Sequence, residues 1–127
     1  MIVGVGFDLV EIARVERLLH GKVDRALARL FTDGEVAYAT ARARPAMHLA
    51  ARLAAKEAAF KALAGSESAR LIGWKDIEVL SRPGHAPELV LHARALQRAE
   101  VLGVCRHWLT LSHTDGTAGA VVVLEAG

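Results

Sequence analysis

Hydrophobic and polar positions along this chain divide it into short periodic segments. Residues 2–7 alternate in the manner of a strand and stop at Asp8, which places that carboxylate at a strand end. A helical stripe follows: Ile12, Val15 and Leu19 face one way, Glu11, Arg14 and Arg17 the other, and Gly21 is a plausible stop. Thr32 followed three residues later by Glu35 is a capping-box signature and predicts a helix beginning just after Phe31. After Pro45 a long helix is expected from Ala46 to Leu63, ended by Gly65.

The second half reads as two hairpins flanking a helix. Ile77–Leu80 and Glu88–Leu91 alternate around Arg82-Pro83-Gly84-His85-Ala86-Pro87. Residues 93–102 are helical in pattern, with Gly103 as the stop. Trp108–Leu111 and Ala120–Leu124 are then strands joined across Thr114-Asp115-Gly116-Thr117. The expected fold class is α+β, a mostly antiparallel sheet packed against helices, in one domain spanning residues 1–127.

Composition narrows the function classes. Hydrophobic content of 53% with 24% charged residues is that of a globular chain, and no apolar run approaches the roughly 20 residues of a membrane span. The first residues lack the basic and long apolar regions of a secretory signal. The single cysteine, Cys105, excludes an intrachain disulfide and reads as a small core residue of a reduced, cytoplasmic protein. Trp74 and Trp108 read as core anchors. His20, His48, His85, His92 and His107 show no metal-ligand spacing and read as surface or packing residues.

A net charge of +2 does not point to nucleic acid, but its distribution is uneven. Arg42, Arg44, Arg52, Lys56 and Lys61 stand against one acid, Glu57, between positions 42 and 61. A second basic group, Arg14, Arg17, Lys22, Arg25 and Arg29, is diluted by Glu11, Glu16 and Asp24.

The predicted helix from Ala46 to Leu63 carries the strongest local signal. Leu49, Leu53, Phe60 and Leu63 share one sector, and the opposite half is almost entirely alanine. A helix apolar on both sides is buried, yet Arg52 and Lys56 project within or beside the large-residue stripe and Glu57 borders it. Buried charge needs partners. An internal pair of Glu57 with Lys61 at i,i+4 is one solution. The four charges at 52, 56, 57 and 61 still leave two positive in surplus, which favours a bound anion. Asp8 with Glu57 could hold Mg²⁺, which takes one or two protein carboxylates and completes its shell with phosphate oxygens and water.

Gly4-Val5-Gly6-Phe7-Asp8-Leu9-Val10-Glu11-Ile12 resembles the N-terminal motif of the holo-acyl-carrier-protein synthases, the small 4′-phosphopantetheinyl transferases. Phe31-Thr32-x-x-Glu35, Ala51 to Ala58 with Lys56-Glu57, Lys61-Ala62-Leu63, Trp74 to Val79 and Leu111-Ser112-His113-Thr114 follow in the family's order. The resemblance implies a 4′-phosphopantetheinyl transferase-like fold. It also implies transfer of 4′-phosphopantetheine from coenzyme A to a serine of an acyl carrier protein, with Mg²⁺ held by Asp8 and Glu57. Asp8, Glu57 and Lys61 are the implied catalytic set, with Glu57 the candidate acceptor of the serine proton. Arg44, Arg52, Lys56, Lys61, Gly65 and His113 are implied at the coenzyme A, and Arg14 at the docked carrier.

The family implies a homotrimer with active sites between subunits and a role in fatty-acid synthesis. Departures occur at Leu63-Ala64-Gly65-Ser66, at the hairpin turn Gly84-His85-Ala86-Pro87 and at Asp115-Gly116-Thr117. These altered turns leave room for a secondary-metabolic carrier. A catalytically silent coenzyme A or carrier binder, and a Mg²⁺-dependent phosphohydrolase, are the rival readings.

Overall fold

In the computed structural model, which describes residues 1–21 and 23–127, ten elements follow one another. Lys22, of the second basic group, lies outside the described residues, as do the side chains of Val23 and Asp24. The elements are β1 (Ile2–Glu11), α1 (Ile12–His20), α2 (Val23–Leu30), α3 (Asp33–Thr40), α4 (Pro45–Leu63), β2 (Ile77–Leu80), β3 (Glu88–Leu91), α5 (Ala93–Leu102), β4 (Val104–His113) and β5 (Thr117–Ala126). Two short 3₁₀ turns, Ser68–Leu71 and Trp74–Asp76, lead into β2.

β1, β5 and β4 form an antiparallel sheet in that order, and β2 pairs with β3 as a separate hairpin. Helix α4 lies across one face of the larger sheet. Its leucines and alanines, from Ala46 to Leu63, supply much of the core together with Val10, Ile12, Val15, Ile77, Val122 and Leu124. The both-sided apolar pattern of this helix thus corresponds to burial on both sides.

Small residues set how close strand and helix come. A Cβ added to Gly6 would overlap the carbonyl oxygen of Ala58, and one added to Gly4 would overlap that of Ala62. The glycines of β1 therefore let its backbone rest on the alanine side of α4. The Thr32–Glu35 capping box is present, with both reciprocal hydrogen bonds made. Gly103 ends α5 in the left-handed conformation, at φ 74°. Past the end of α4, Gly65 adopts φ 113°, while Arg98 donates to the carbonyls of Leu63 and Ala64 and satisfies the open helix end.

Several expectations need correction. β1 does not stop at Asp8 but runs on to Glu11, because its pairing with β5 continues to Glu11 opposite Thr117. β4 and β5 exceed their predicted lengths for the same reason: the hydrogen-bonded ladder outlasts the apolar alternation. Helix α2 is an addition to the expected elements. Cys105 is exposed rather than in the core. Trp108 is also exposed, its indole N–H donating to Glu125. Trp74 keeps a packing role, edge-on to Phe60 with ring centroids 5.0 Å apart. No helix among the described residues is long and apolar enough to cross a membrane.

Candidate active site

In β1 the side chains alternate, so Val5, Phe7 and Leu9 point away from α4 while Gly4, Gly6, Asp8 and Val10 point toward it. The close contact of Gly6 with Ala58 brings the next inward residue, Asp8, against Glu57 on α4. The two carboxyl groups lie close enough for each to shift the ionisation of the other.

Two cations flank them. Lys61 Nζ lies 2.9 Å from Asp8 Oδ1 and also donates to the carbonyl of Phe7 at 2.9 Å. Arg14 Nη2 lies 3.8 Å from Glu57 Oε1. The i,i+4 pairing of Glu57 with Lys61 is thus replaced by a contact between elements: Lys61 reaches across to β1, and α1 supplies the cation facing Glu57.

This arrangement divides the two acids. Burial pushes Glu57 up first, then the hydrogen bond and charge of Asp8 add to it, so its pKa reaches about 7 against the pull of Arg14 and Lys61. Burial also acts upward on Asp8, but the hydrogen bonds from Glu57 and Lys61 and the Lys61 charge outweigh it and hold Asp8 below its ordinary value. One oxygen, Asp8 Oδ2, is buried and has no hydrogen-bond partner.

An orphaned carboxylate oxygen beside a second, strained carboxylate is what a divalent cation would relieve. Among the described residues no cluster of three or more Asp, Glu, His or Cys exists. The donor set is therefore two carboxylates and no more, which suits Mg²⁺ completed by substrate phosphate and water, and does not suit a zinc or calcium cage.

The remaining predicted site residues separate into two groups. Gly65 lies on the lip of a cavity of about 820 Å³, lined also by Phe60, Ser66, Ala69 and Trp74 beyond the Lys61 end of α4. Arg52 and His113 instead line a cavity of about 210 Å³ together with Tyr38, His48 and Arg82. Arg52 is buried against the Tyr38 ring, 4.2 Å from its centroid, and donates to Ser81 Oγ at 2.6 Å and to the His48 carbonyl at 3.1 Å. Its Nε has no partner. Arg44, at the other end of α4, donates to the Asp115 carbonyl on the β4–β5 turn. Burial first, then the charges of Arg52, Arg42 and His113, lower the pKa of His48; with Arg52 and Arg82 on its lining, this second pocket favours an anion.

Lys56 belongs to neither group. Its ammonium is fully buried, 2.9 Å from Glu35 Oε1, and donates to the carbonyls of Trp74 and Ile77. Glu35 in turn accepts from the backbone N–H of Thr32 and of Val79. All three Lys56 donors are engaged within the protein, so its expected contact with coenzyme A is corrected to an internal ion pair tying α3, α4 and β2 together. The surplus of charge on α4 falls accordingly, because Glu35 neutralises one of its cations. Residues missed from sequence include Glu35 as that partner and Tyr38 as the surface under Arg52. Neither has a signal in one-dimensional spacing.

The family profile described as the 4′-phosphopantetheinyl transferase superfamily matches residues 4–117, which include every residue of both pockets and of the carboxylate pair. The chain belongs to this superfamily. A holo-[acyl-carrier-protein] synthase of Anaeromyxobacter dehalogenans strain 2CP-1 is 49% identical over 98% of this chain and 97% of its own. The crystal structure of holo-[acyl-carrier-protein] synthase from Neisseria meningitidis superposes with a TM-score of 0.84 at 28% identity, covering 98% and 99% of the two chains. That of Bacillus anthracis, in complex with CoA (3′,5′-ADP), is 31% identical with a TM-score of 0.77, covering 100% and 99%. The similarity of this transferase to both structures spans helix and sheet regions alike, so the α+β architecture is that of the holo-[acyl-carrier-protein] synthases.

Proposed function

We propose that this transferase moves the 4′-phosphopantetheine group of coenzyme A onto a serine hydroxyl of an apo-acyl carrier protein, leaving adenosine 3′,5′-bisphosphate. The observation that carries the reading is the meeting of Asp8 and Glu57, one oxygen orphaned, beside Lys61 in a chain of this superfamily.

In the reaction the serine oxygen bonds to the phosphorus bearing pantetheine, and the bond from that phosphorus to the bridging oxygen of the pyrophosphate breaks. Asp8 and Glu57 would hold Mg²⁺, whose charge, when bound, stabilises the pyrophosphate oxygens as negative charge shifts to the leaving group. Lys61 adds positive charge at the same phosphates. Glu57, facing the site from α4, accepts the serine proton. Arg14, exposed on α1 at the edge of the site, is the docking cation for the acidic carrier.

Coenzyme A spans both pockets in this reading. Gly65 faces its pyrophosphate end, and Arg44, Arg52 and His113 hold the adenosine phosphate. Arg44 and Lys61 sit about 25 Å apart along α4, from the rise of a helix. One molecule of cofactor is thus better served by the Lys61 end of one chain and the Arg44 end of a second. The outer face of the larger sheet agrees with such an assembly: Val5, Phe7, Leu9 and Trp108 form an exposed apolar surface on the side away from α4. A homotrimer closed through that face, with sites between subunits, is part of the proposal. So are a carrier of primary fatty-acid synthesis as acceptor and a cytoplasmic setting, both taken over from the family resemblance.

The test is incubation with coenzyme A, Mg²⁺ and apo-carrier protein, followed by mass spectrometry of the carrier. A phosphopantetheinyl mass gain that depends on all three components is expected. Coenzyme A binding without any gain would support a silent binder, and coenzyme A hydrolysis without gain a phosphohydrolase.

A further inference from the structure

The carboxylate pair is held together by two side chains that do not share its rigidity. The Asp8 and Glu57 side chains are 15% and 23% exposed, fixed by β1 and α4, whereas those of Lys61 and Arg14 are 57% and 52% exposed on long stems. The backbones that carry the acids are held at close approach, because Gly6 and Ala58 leave no slack between strand and helix. Both cations can swing into solvent at small cost. Lys61 covers one oxygen of Asp8 and Arg14 faces one oxygen of Glu57, while Asp8 Oδ2 remains bare.

We infer that Lys61 and Arg14 are resident counter-ions of the pair, positioning residues that hold Asp8 and Glu57 together while no divalent cation is bound and release them when one binds. The inference rests on the Mg²⁺ reading above. Where both are ionised, two facing carboxylates without a cation repel, and the repulsion would act directly on the β1–α4 contact. The resident cations suppress it, and a divalent ion entering between the acids then competes with them. Freed from Asp8, the Lys61 ammonium turns to the substrate phosphates, so a single side chain serves the empty and the loaded site in succession.

The test is Mg²⁺ binding by titration calorimetry, without coenzyme A or carrier, on the full chain and on Lys61→Gln, Arg14→Gln and Lys61→Arg. Removing the Lys61 charge should tighten Mg²⁺ binding about thirtyfold, the effect of one unit charge on a divalent ion about 4 Å away acting through water. Arg14→Gln should tighten it by a smaller factor, and Lys61→Arg, which keeps the charge, should match the parent. Thermal melts give an independent readout: both Gln variants should melt lower than the parent without metal and gain more from added Mg²⁺. Affinity unchanged or weakened in both Gln variants overturns the counter-ion role while leaving the metal reading intact. Absence of Mg²⁺ binding in every variant overturns both. The transfer assay on the unmodified protein reports separately on the reaction.

Discussion

Gly6 of β1 rests on the backbone of Ala58 so closely that any side chain at position 6 would overlap the Ala58 carbonyl oxygen. This contact sets the depth at which Asp8, two residues along the strand, meets Glu57, one residue back along the helix. Gly6→Ala should therefore cost about 1–3 kcal/mol as an overpacked core position does. Because the forced separation lies at the site, it should also weaken Mg²⁺ binding. Denaturant unfolding and metal titration on the same variant check the two effects together.

The corrected role of Lys56 makes a sharp prediction. Its partner Glu35 is buried with it, and removal of one member of such a pair costs about 3–5 kcal/mol because the other is left charged and unpaired. Lys56→Met should lower the melting temperature accordingly, while the KM for coenzyme A of the folded fraction stays at the parent value. A raised KM with an unchanged melting temperature would restore Lys56 to the cofactor.

Glu57→Gln and Asp8→Asn should each abolish metal-dependent transfer, a loss of about 100-fold or more, as expected when a preorganised electrostatic element is removed. Glu57→Gln should at the same time raise stability at pH 8, since it removes a charge that burial and Asp8 both disfavour. Circular dichroism melts beside the mass assay separate the two consequences. Near-normal turnover in either variant would sink the metal assignment.

The raised pKa of Glu57 fixes the sign of a pH effect. Between its ordinary 4.5 and its folded value of about 7, the native protein keeps a proton that the unfolded chain has lost. The native state binds more protons there, so the contribution of Glu57 to stability falls as pH rises through that window. Metal binding must expel the proton, so Mg²⁺ uptake should release close to one proton at pH 6 and almost none at pH 8. Calorimetry in buffers of different ionisation enthalpy measures this directly.

The exposed sheet face predicts assembly. Phe7→Asp or Trp108→Asp would place charge in the middle of the apolar outer surface without touching the α4 side of β1. Sedimentation equilibrium should show a trimer for the parent and a monomer for the variants, with coenzyme A binding lost as the Arg44 and Lys61 ends are no longer brought together. A trimer that survives both substitutions would place the interface elsewhere.

Local patterns were enough for most of the elements. The Thr32–Glu35 box, Pro45 at the head of α4, the stop at Gly103 and the alternation of residues 2–7 each act within a few residues, and each reads the same in the folded chain. The alanine side of α4 also announced burial. Strand ends did not read correctly, because β1, β4 and β5 are prolonged by cross-strand pairing rather than by their own alternation.

At the site, the sequence by itself determined which residues carry charge on a helix that should not, and its motifs named Asp8, Glu57 and Lys61. Only the tertiary structure decided how those charges are shared out. Lys56 turned inward to Glu35, and Thr32 donates to Glu78 at 2.8 Å across forty-six positions of chain. Lys61 passed over its helical neighbour Glu57 for Asp8, and Arg14 came in from α1. The physical reason is that a charge removed from water takes whichever opposite charge packing brings within reach, and that distance is a property of the fold, not of spacing along the chain.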